Sequence, residues 1–360
     1  MPEIWLPYGR DEIVINIKAE YLSDVVESSE KTVDAEQLNL AIDDFDYADV
    51  VIHDGSKQSR MILDLLSKKW ESKGKQARFI EAKPLDFDAT QASEAIEHTL
   101  VDGSMVKVPS FLLRSKVLII SPFNFDPLFG FYGPHVLLAS FAGLLNEAVK
   151  RWDRKLNPGG DPDTGWFARR LAKSISDLKV LAFLKGPRGV IEFKYGEVEA
   201  AFSYMKEYLK SKRSIEFQQS RFMVIGSGGD PIDRTLAGSL LSASNNIDGV
   251  SEDAEIILVA ECGDGLGSSY LRRVVDGAQL NRDSSTWEET VLANINSRGK
   301  IHLVSTLPKA IVERRLKMKA YSSLREAFET VQSSHGWRFK ANVITDSSNF
   351  HIIRTEQKKE

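Results

Sequence analysis

Apolar residues along this chain fall into short runs that alternate with stretches of helical spacing. Val50-Val51-Ile52, Val117-Leu118-Ile119-Ile120, Phe222-Met223-Val224-Ile225, Ile256-Ile257-Leu258-Val259 and Ile301-His302-Leu303-Val304 are such runs. Between them Met61, Ile62, Leu65 and Leu66, or Phe202, Met205, Tyr208 and Leu209, recur at the three-to-four spacing of an amphipathic helix. Short apolar runs bounded by turn residues read as buried strands, and strands alternating with helices favour a mostly parallel sheet covered on both faces.

Taken in order, Ile4–Leu6 and Ile13–Ile17 predict a hairpin turning at Gly9. A helix is expected over Val33 to Asp44, capped by Thr32, then strands at Ala48–His53, Ala77–Ile80 and Lys116–Ser121. The polar stretch Ala89 to His98 is expected to turn helical, and a helix after the aromatic loop Phe123–His135 to run to about Trp152. Leu156–Asp163, rich in Pro and Gly, predicts a long loop, followed by strands at Leu178–Leu184 and Val190–Phe193. Helix Glu197–Lys212 leads into a βαβαβαβ half that closes with a strand near Ala341–Ile344 and a frayed tail at Glu356–Glu360. The expected fold class is α/β: two domains, with mostly parallel or mixed sheets flanked by helices and a cleft between them. The border is placed at 1–200 and 201–360.

Composition narrows the function classes. A chain of 360 residues exceeds the usual single core, in line with two domains. A net charge of −4 and a pI near 6.0 give no global attraction to nucleic acid or an anionic membrane, so neither is an expected partner. Lys206, Lys210, Lys212 and Arg213 form a local basic patch that reads either as a binding surface or as a solvated helix face. The lone Cys262 excludes an intrachain disulfide and fits a reducing cytoplasm. No apolar run approaches the roughly 20 residues of a membrane span, and no signal peptide is expected at the amino terminus. A homo-oligomer is compatible with all of this.

The chemistry-bearing residues cluster where strands hand over to helices. Gly228-Gly229-Asp230 and Gly263-Asp264-Gly265-Leu266-Gly267 each follow an apolar run, and both are expected at the carboxyl edge of one sheet, where open α/β folds bind ligands. Glycines there permit close approach and helix amides favour an anion, although a tight turn with no ligand fits the same pattern. Asp230, Asp233, Glu261 and Asp264 bring carboxylates to that edge, either for a ligand or as helix caps. Asp54, Ser56 and Lys57 form a counterpart in the first half: Lys57 at a helix start suits a phosphate or carboxylate, with Ser56 as a cap. His135 at a helix start, and Asp126 nine residues earlier, are the candidate proton carriers. Cys262 reads as a packed side chain, and His98, His302, His335 and His351 show no metal-ligand spacing, so no metal site is expected.

Several of these stretches together resemble nickel-dependent lactate racemase and its homologues. Gly228-Gly229-Asp230-Pro231-Ile232-Asp233 resembles the family's "GGYPxD", and Ala260-Glu261-Cys262-Gly263-Asp264-Gly265-Leu266-Gly267 its "AECxxGLG". Leu6-Pro7-Tyr8-Gly9 is similar to its "YGK" opening, Asp54-Gly55-Ser56-Lys57 stands at its "DxTRPTP", and Gly130–Val136 is similar to its "AGFSGGRK". The resemblance implies a two-domain α/β protein that binds a small hydroxy acid or other anion between its domains. In the family a lysine-tethered nickel-pincer nucleotide takes a hydride from the 2-carbon of lactate, histidines move the proton, and an arginine and a lysine grip the carboxylate. Here Val136 stands at the tethering lysine, Asp126 at a catalytic histidine, Lys57 at the arginine, and Ala237–Leu241 at the substrate-gripping "YQxxK". Two expectations follow: an isomerase using Lys57, the glycine loops and Asp126 or His135, or a non-catalytic binding or regulatory protein that kept the scaffold. The tethered cofactor is disfavoured by Val136.

Overall fold

The computed structural model describes residues 3–354 apart from 44, 187, 278–285 and 337–338, so the tail expected to fray at Glu356–Glu360 lies outside the described residues. The chain forms two compact units: Met1–Glu27, Phe125–Pro127 and Lys212–Glu360 make one, and Ser28–Asn124 with Leu128–Ser211 the other. The architecture is α/β, with parallel and mixed sheets flanked by helices.

The first unit is built on a six-stranded, wholly parallel sheet. Its strands lie in the order Lys319–Tyr321, Gly299–Val304, Val250–Val259, Ser220–Gly226, Ala341–Ile344 and Leu22–Val26. Buried β-branched residues such as Val224, Ile257 and Val343 fill the central strands, as burial on both faces requires. The amino-terminal hairpin pairs Glu3–Tyr8 with Asp11–Asn16, from Glu3 opposite Asn16 to Tyr8 opposite Asp11. Gly9 makes the turn at φ +58°, in the left-handed region. Alternation turns Ile4, Leu6 and Ile15 to one face, where with Ile17 they join Val224, Ile257, Val304, Phe328 and Val331 in a single apolar cluster. That cluster is why residues 1–27 group with Lys212–Glu360 and not with the chain that directly follows them.

The second unit carries a five-stranded sheet in the order Gly189–Gly196, Leu178–Gly186, Val117–Pro122, Val50–His53 and Arg78–Glu81. It is parallel except at its edge, where Leu178–Gly186 and Gly189–Gly196 form an antiparallel hairpin. Helix Lys57–Ser72 lays Ile62, Leu66 and Trp70 on this sheet against Val51, Leu118, Ile120, Leu181 and Phe183.

Three sequence expectations change here. Ala95–Thr99 is a strand, not a helix; it pairs antiparallel with Met105–Pro109 through a turn at Gly103 (φ +82°), where Asp102 Oδ1 accepts from Ser104 N at 3.0 Å. The helix after the aromatic loop stops at Phe141 and resumes as Leu145–Val149, because Gly143 takes φ +70° between them. The first helix spans Ala35–Asp43, and its cap is Asp34, whose Oδ1 accepts from Gln37 N at 2.7 Å, rather than Thr32. Helix Asp163–Lys173, following the Pro-Gly loop, was not legible in the periodicity.

The hairpin's place in the first unit's core gives a direct test. Leu6 is fully buried, so Leu6→Ala is expected to lower that unit's stability by about 2–5 kcal/mol in denaturant unfolding. A variant as stable as the parent would mean that the hairpin is peripheral.

Candidate functional site

Gly226 and Val259 are register partners at the ends of adjacent parallel strands, so the two glycine loops leave one edge of the six-stranded sheet. The loops are knitted to each other and to the hairpin turn. Asp233, completely buried, accepts from Gly9 N at 2.8 Å and Glu261 N at 3.3 Å, and its carbonyl accepts from Cys262 N at 2.7 Å. Asp230 N donates to Gly9 O at 2.7 Å, Asp264 N to Arg234 O at 2.8 Å, and Leu236 N to Gly265 O at 3.0 Å. The Asp230 carboxylate pairs with Arg234 and, at 3.5 Å, with Arg10. The structure thus brings Gly228, Gly229, Asp230, Asp233, Glu261, Gly265 and Gly267 together at one edge.

Most of the room these glycines create is taken by the chain itself. A Cβ at Gly228 would lie 2.5 Å from the Asp346 carboxylate, one at Gly229 2.8 Å from Pro7, and one at Gly267 2.3 Å from Thr235. Gly265, at φ +86°, is the one that would meet nothing within 4 Å. The neighbourhood is also acidic. Burial, then the charges of Cys262, Glu261 and Asp233, pushes the Tyr8 hydroxyl up to about 12. Burial and the Asp233 charge likewise push the Cys262 thiol up to about 12, so this buried cysteine stays a thiol at neutral pH and is no nucleophile. Asp126 belongs to this unit too. It is buried on the segment 125–127, held where Phe125 N donates to Ser348 O at 3.1 Å and Asn245 Nδ2 to Phe125 O at 3.2 Å.

Asp54, Ser56, Lys57 and His135 all lie in the other unit, at or beyond the carboxyl edge of the five-stranded sheet. Ser56 caps helix Lys57–Ser72 by accepting from Ser59 N at 3.3 Å. Asp54, completely buried, holds that cap: its Oδ1 accepts from Ser56 Oγ at 2.9 Å and from Ser59 Oγ. Burial raises the Asp54 carboxyl above the ordinary range, opposed by those hydroxyls and by the Lys185 charge. Lys57 opens the helix with its side chain exposed, on a turn where Gly55 takes φ +77° and, lacking a Cβ, leaves room for the Glu81 carboxylate.

His135 is buried on helix Pro134–Phe141 among the rings of Phe123 (6.5 Å) and Phe202 (5.3 Å, edge-on). Burial, then the nearby Arg169 charge, lowers its pKa to about 3, against a hydrogen bond to the Phe131 backbone, and keeps the ring neutral. Val136, beside it, is completely buried.

A polar network that periodicity gave no hint of lies under helix Leu324–His335. Glu255 Oε2 meets His302 Nε2 at 2.6 Å, His302 Nδ1 meets the Tyr321 hydroxyl at 3.1 Å, and Glu255 Oε1 meets Lys300 Nζ at 3.3 Å and His335 Nε2 at 3.4 Å. Burial pushes Glu255 up, but the bonds from His302 and Lys300 outweigh it, so the carboxyl is held below its usual range; burial likewise keeps His302 low. A neutral His302 that donates to an ionised Glu255 and accepts from Tyr321 satisfies all three groups. Strand register is the signal that finds it, since Glu255 pairs with Lys300 and Ile257 with His302. Among the described residues no group of three or more His, Cys, Asp or Glu is arranged to hold a metal.

The buried His135 makes a pH prediction. Its folded pKa lies below its unfolded value of 6.5, so the unfolded chain takes up the proton first, and stability falls from about pH 6.5 down to about 3 by at most about 1.4 kcal/mol per pH unit. His135→Phe is expected to flatten that part of the acid limb in urea unfolding at a series of pH values. Parallel pH profiles for parent and variant would sink the assignment.

No protein-family model matches the chain, and no curated protein matches its sequence. Solved structures do resemble it. The lactate racemase apoprotein from Thermoanaerobacterium thermosaccharolyticum is similar over 98% of this chain and 100% of its own, at a TM-score of 0.66 and 15% sequence identity. A Thermotoga maritima protein is similar over 91% of this chain and 100% of its own, at a TM-score of 0.61 and 9% identity. At these identities the likeness is one of fold: the chain has a lactate-racemase-like α/β fold.

Proposed function

We propose that this chain is a lactate-racemase-like protein that binds a small hydroxy acid or a related small anion, with Lys57 as the cation that receives the carboxylate. The observation that carries the reading is the start of helix Lys57–Ser72. There an exposed lysine stands at the first helical position, beside helix amides whose partial positive charge favours an anion, on a turn held rigid by Asp54 and Ser56. The acidic, self-filled loops at Gly228 and Gly267 support a different role, shaping the backbone of the other unit.

The nickel-pincer nucleotide that a lactate-racemase-like fold implies does not fit the residues present. Val136, at the position that resembles the tethering lysine, has no nitrogen to form a covalent link and is completely buried. His135, neutral and enclosed by aromatic rings, is a weak base with a conjugate acid near 3. Between an isomerase and a non-catalytic binding or regulatory protein, these two residues therefore favour the binder.

Thermal unfolding in the presence of lactate, other 2-hydroxy acids and nucleotides tests the reading. A ligand at 100 times its Kd is expected to add about 2.7 kcal/mol of stability, and Lys57→Ala is expected to abolish the effect without changing the unliganded protein. If no such anion stabilises the parent, or if the variant responds equally, the Lys57 site is wrong. Protein produced alongside cofactor-building enzymes is expected to keep its bare mass, to hold no nickel, and to leave the lactate 2-hydrogen unexchanged. An added nucleotide mass would overturn the non-catalytic reading.

A further inference from the structure

We propose that helices Asp163–Lys173 and Val198–Arg213 carry a second anion site, for hydrogen phosphate, built from Arg169, Lys206 and Lys210 over the rings of Phe131 and Phe202, with His135 as its inner wall. The Arg169 guanidinium carbon lies 4.2 Å from the centre of the Phe202 ring, and Lys206 Nζ lies 5.7 Å from the same ring. Lys206 and Lys210 stand 6.0 and 5.8 Å from the centre of Phe131. Three cations thus converge on two adjoining rings, themselves 5.8 Å apart, which positions them far better than a solvated helix face would.

Their charge is only partly answered. Asp161 accepts from Arg169 Nη2 at 2.6 Å and meets Lys206 Nζ at 3.6 Å, and Glu199 stands 3.8 Å from both Arg169 Nε and Lys173 Nζ. Four cations therefore face two carboxylates. Arg169 is 5% exposed, yet its Nη1 has no hydrogen-bond partner among the described residues. A buried guanidinium nitrogen left unpaired is costly and points to a missing acceptor.

His135 adds the chemical discrimination. It is 1% exposed, packs edge-on against the same Phe202 ring, and its Nε2 also lacks a partner among the described residues. With its other ring nitrogen bonded to the Phe131 backbone and the ring neutral, Nε2 is a lone-pair acceptor. A ligand bound between them would accept from Arg169 and donate to His135. Hydrogen phosphate does both; sulfate, of the same shape, carries no O–H at neutral pH. Lys206, with its side chain 24% exposed, and the exposed Lys210 supply the entrance.

Calorimetric titration of the full chain with inorganic phosphate near neutral pH and fixed ionic strength tests this. Saturable binding is expected, with sulfate at least about tenfold weaker, as loss of one hydrogen bond to a buried group implies. The double variant Lys206→Gln, Lys210→Gln removes surface charges without touching the buried side chains, and is expected to weaken phosphate by about tenfold or more at unchanged thermal stability. His135→Phe is expected to erase the preference for phosphate over sulfate, and Lys57→Ala to leave phosphate binding intact, which separates this site from the hydroxy-acid site. Absence of saturable binding, equal affinity in the double variant, or loss of binding in Lys57→Ala would overturn the proposal.

Discussion

One buried carboxylate organises the unit of the six-stranded sheet. Asp233 takes the Gly9 amide from the hairpin turn and the Glu261 amide from the second glycine loop, and its own carbonyl takes Cys262. Three segments distant in sequence meet on one residue with no exposure to solvent. Losing a buried carboxylate that accepts backbone donors would strand those donors in a low-dielectric surround. The hairpin's apolar face is thereby held to the sheet core through Ile4, Leu6 and Ile15.

The same knot decides what that edge can do. Burial first, and then the charges of Asp233 and Glu261, hold Tyr8 and Cys262 protonated far above neutrality. A glycine-rich turn is generic in sequence, but whether it cradles a phosphate depends on which atoms fill it. Here Pro7, Thr235 and the Asp346 carboxylate occupy the space that side chains on Gly229, Gly267 and Gly228 would need. The other unit has the opposite balance: an exposed lysine at a capped helix start, and Arg169, Lys206 and Lys210 over the rings of Phe131 and Phe202 beside the carboxylates of Asp161 and Glu199. Both proposed anion sites accordingly fall in the unit of the five-stranded sheet, although the glycine loops singled out in the sequence lie in the other.

Much of the scaffold could be read from the chain. The parallel strands at Val117–Pro122, Ser220–Gly226 and Gly299–Val304 announced themselves as short β-branched runs, and the Gly9 hairpin as alternation about a turn. Glu94 and Glu97 suit a helix locally, but the pairing of Ala95–Thr99 with Met105–Pro109 overrides that preference. Helix Asp163–Lys173 was hidden by the Pro-Gly loop before it and by Gly165 within it, where the Phe129 carbonyl approaches too closely for a side chain.

The sequence by itself determined the class of fold, the hairpin turn at Gly9, and which residue types stood at each strand end, because periodicity and backbone sterics are local properties. It also singled out Lys206 and Lys210 as a basic patch without saying whether they faced water. Only the tertiary structure decided that these lysines converge with Arg169 on two aromatic rings, that His135 is enclosed and neutral, and that Glu255, His302 and Tyr321 form one network. Those facts depend on register, burial and the approach of residues dozens of positions apart. Charge state and ligand preference are set by that surround, and no local pattern encodes it.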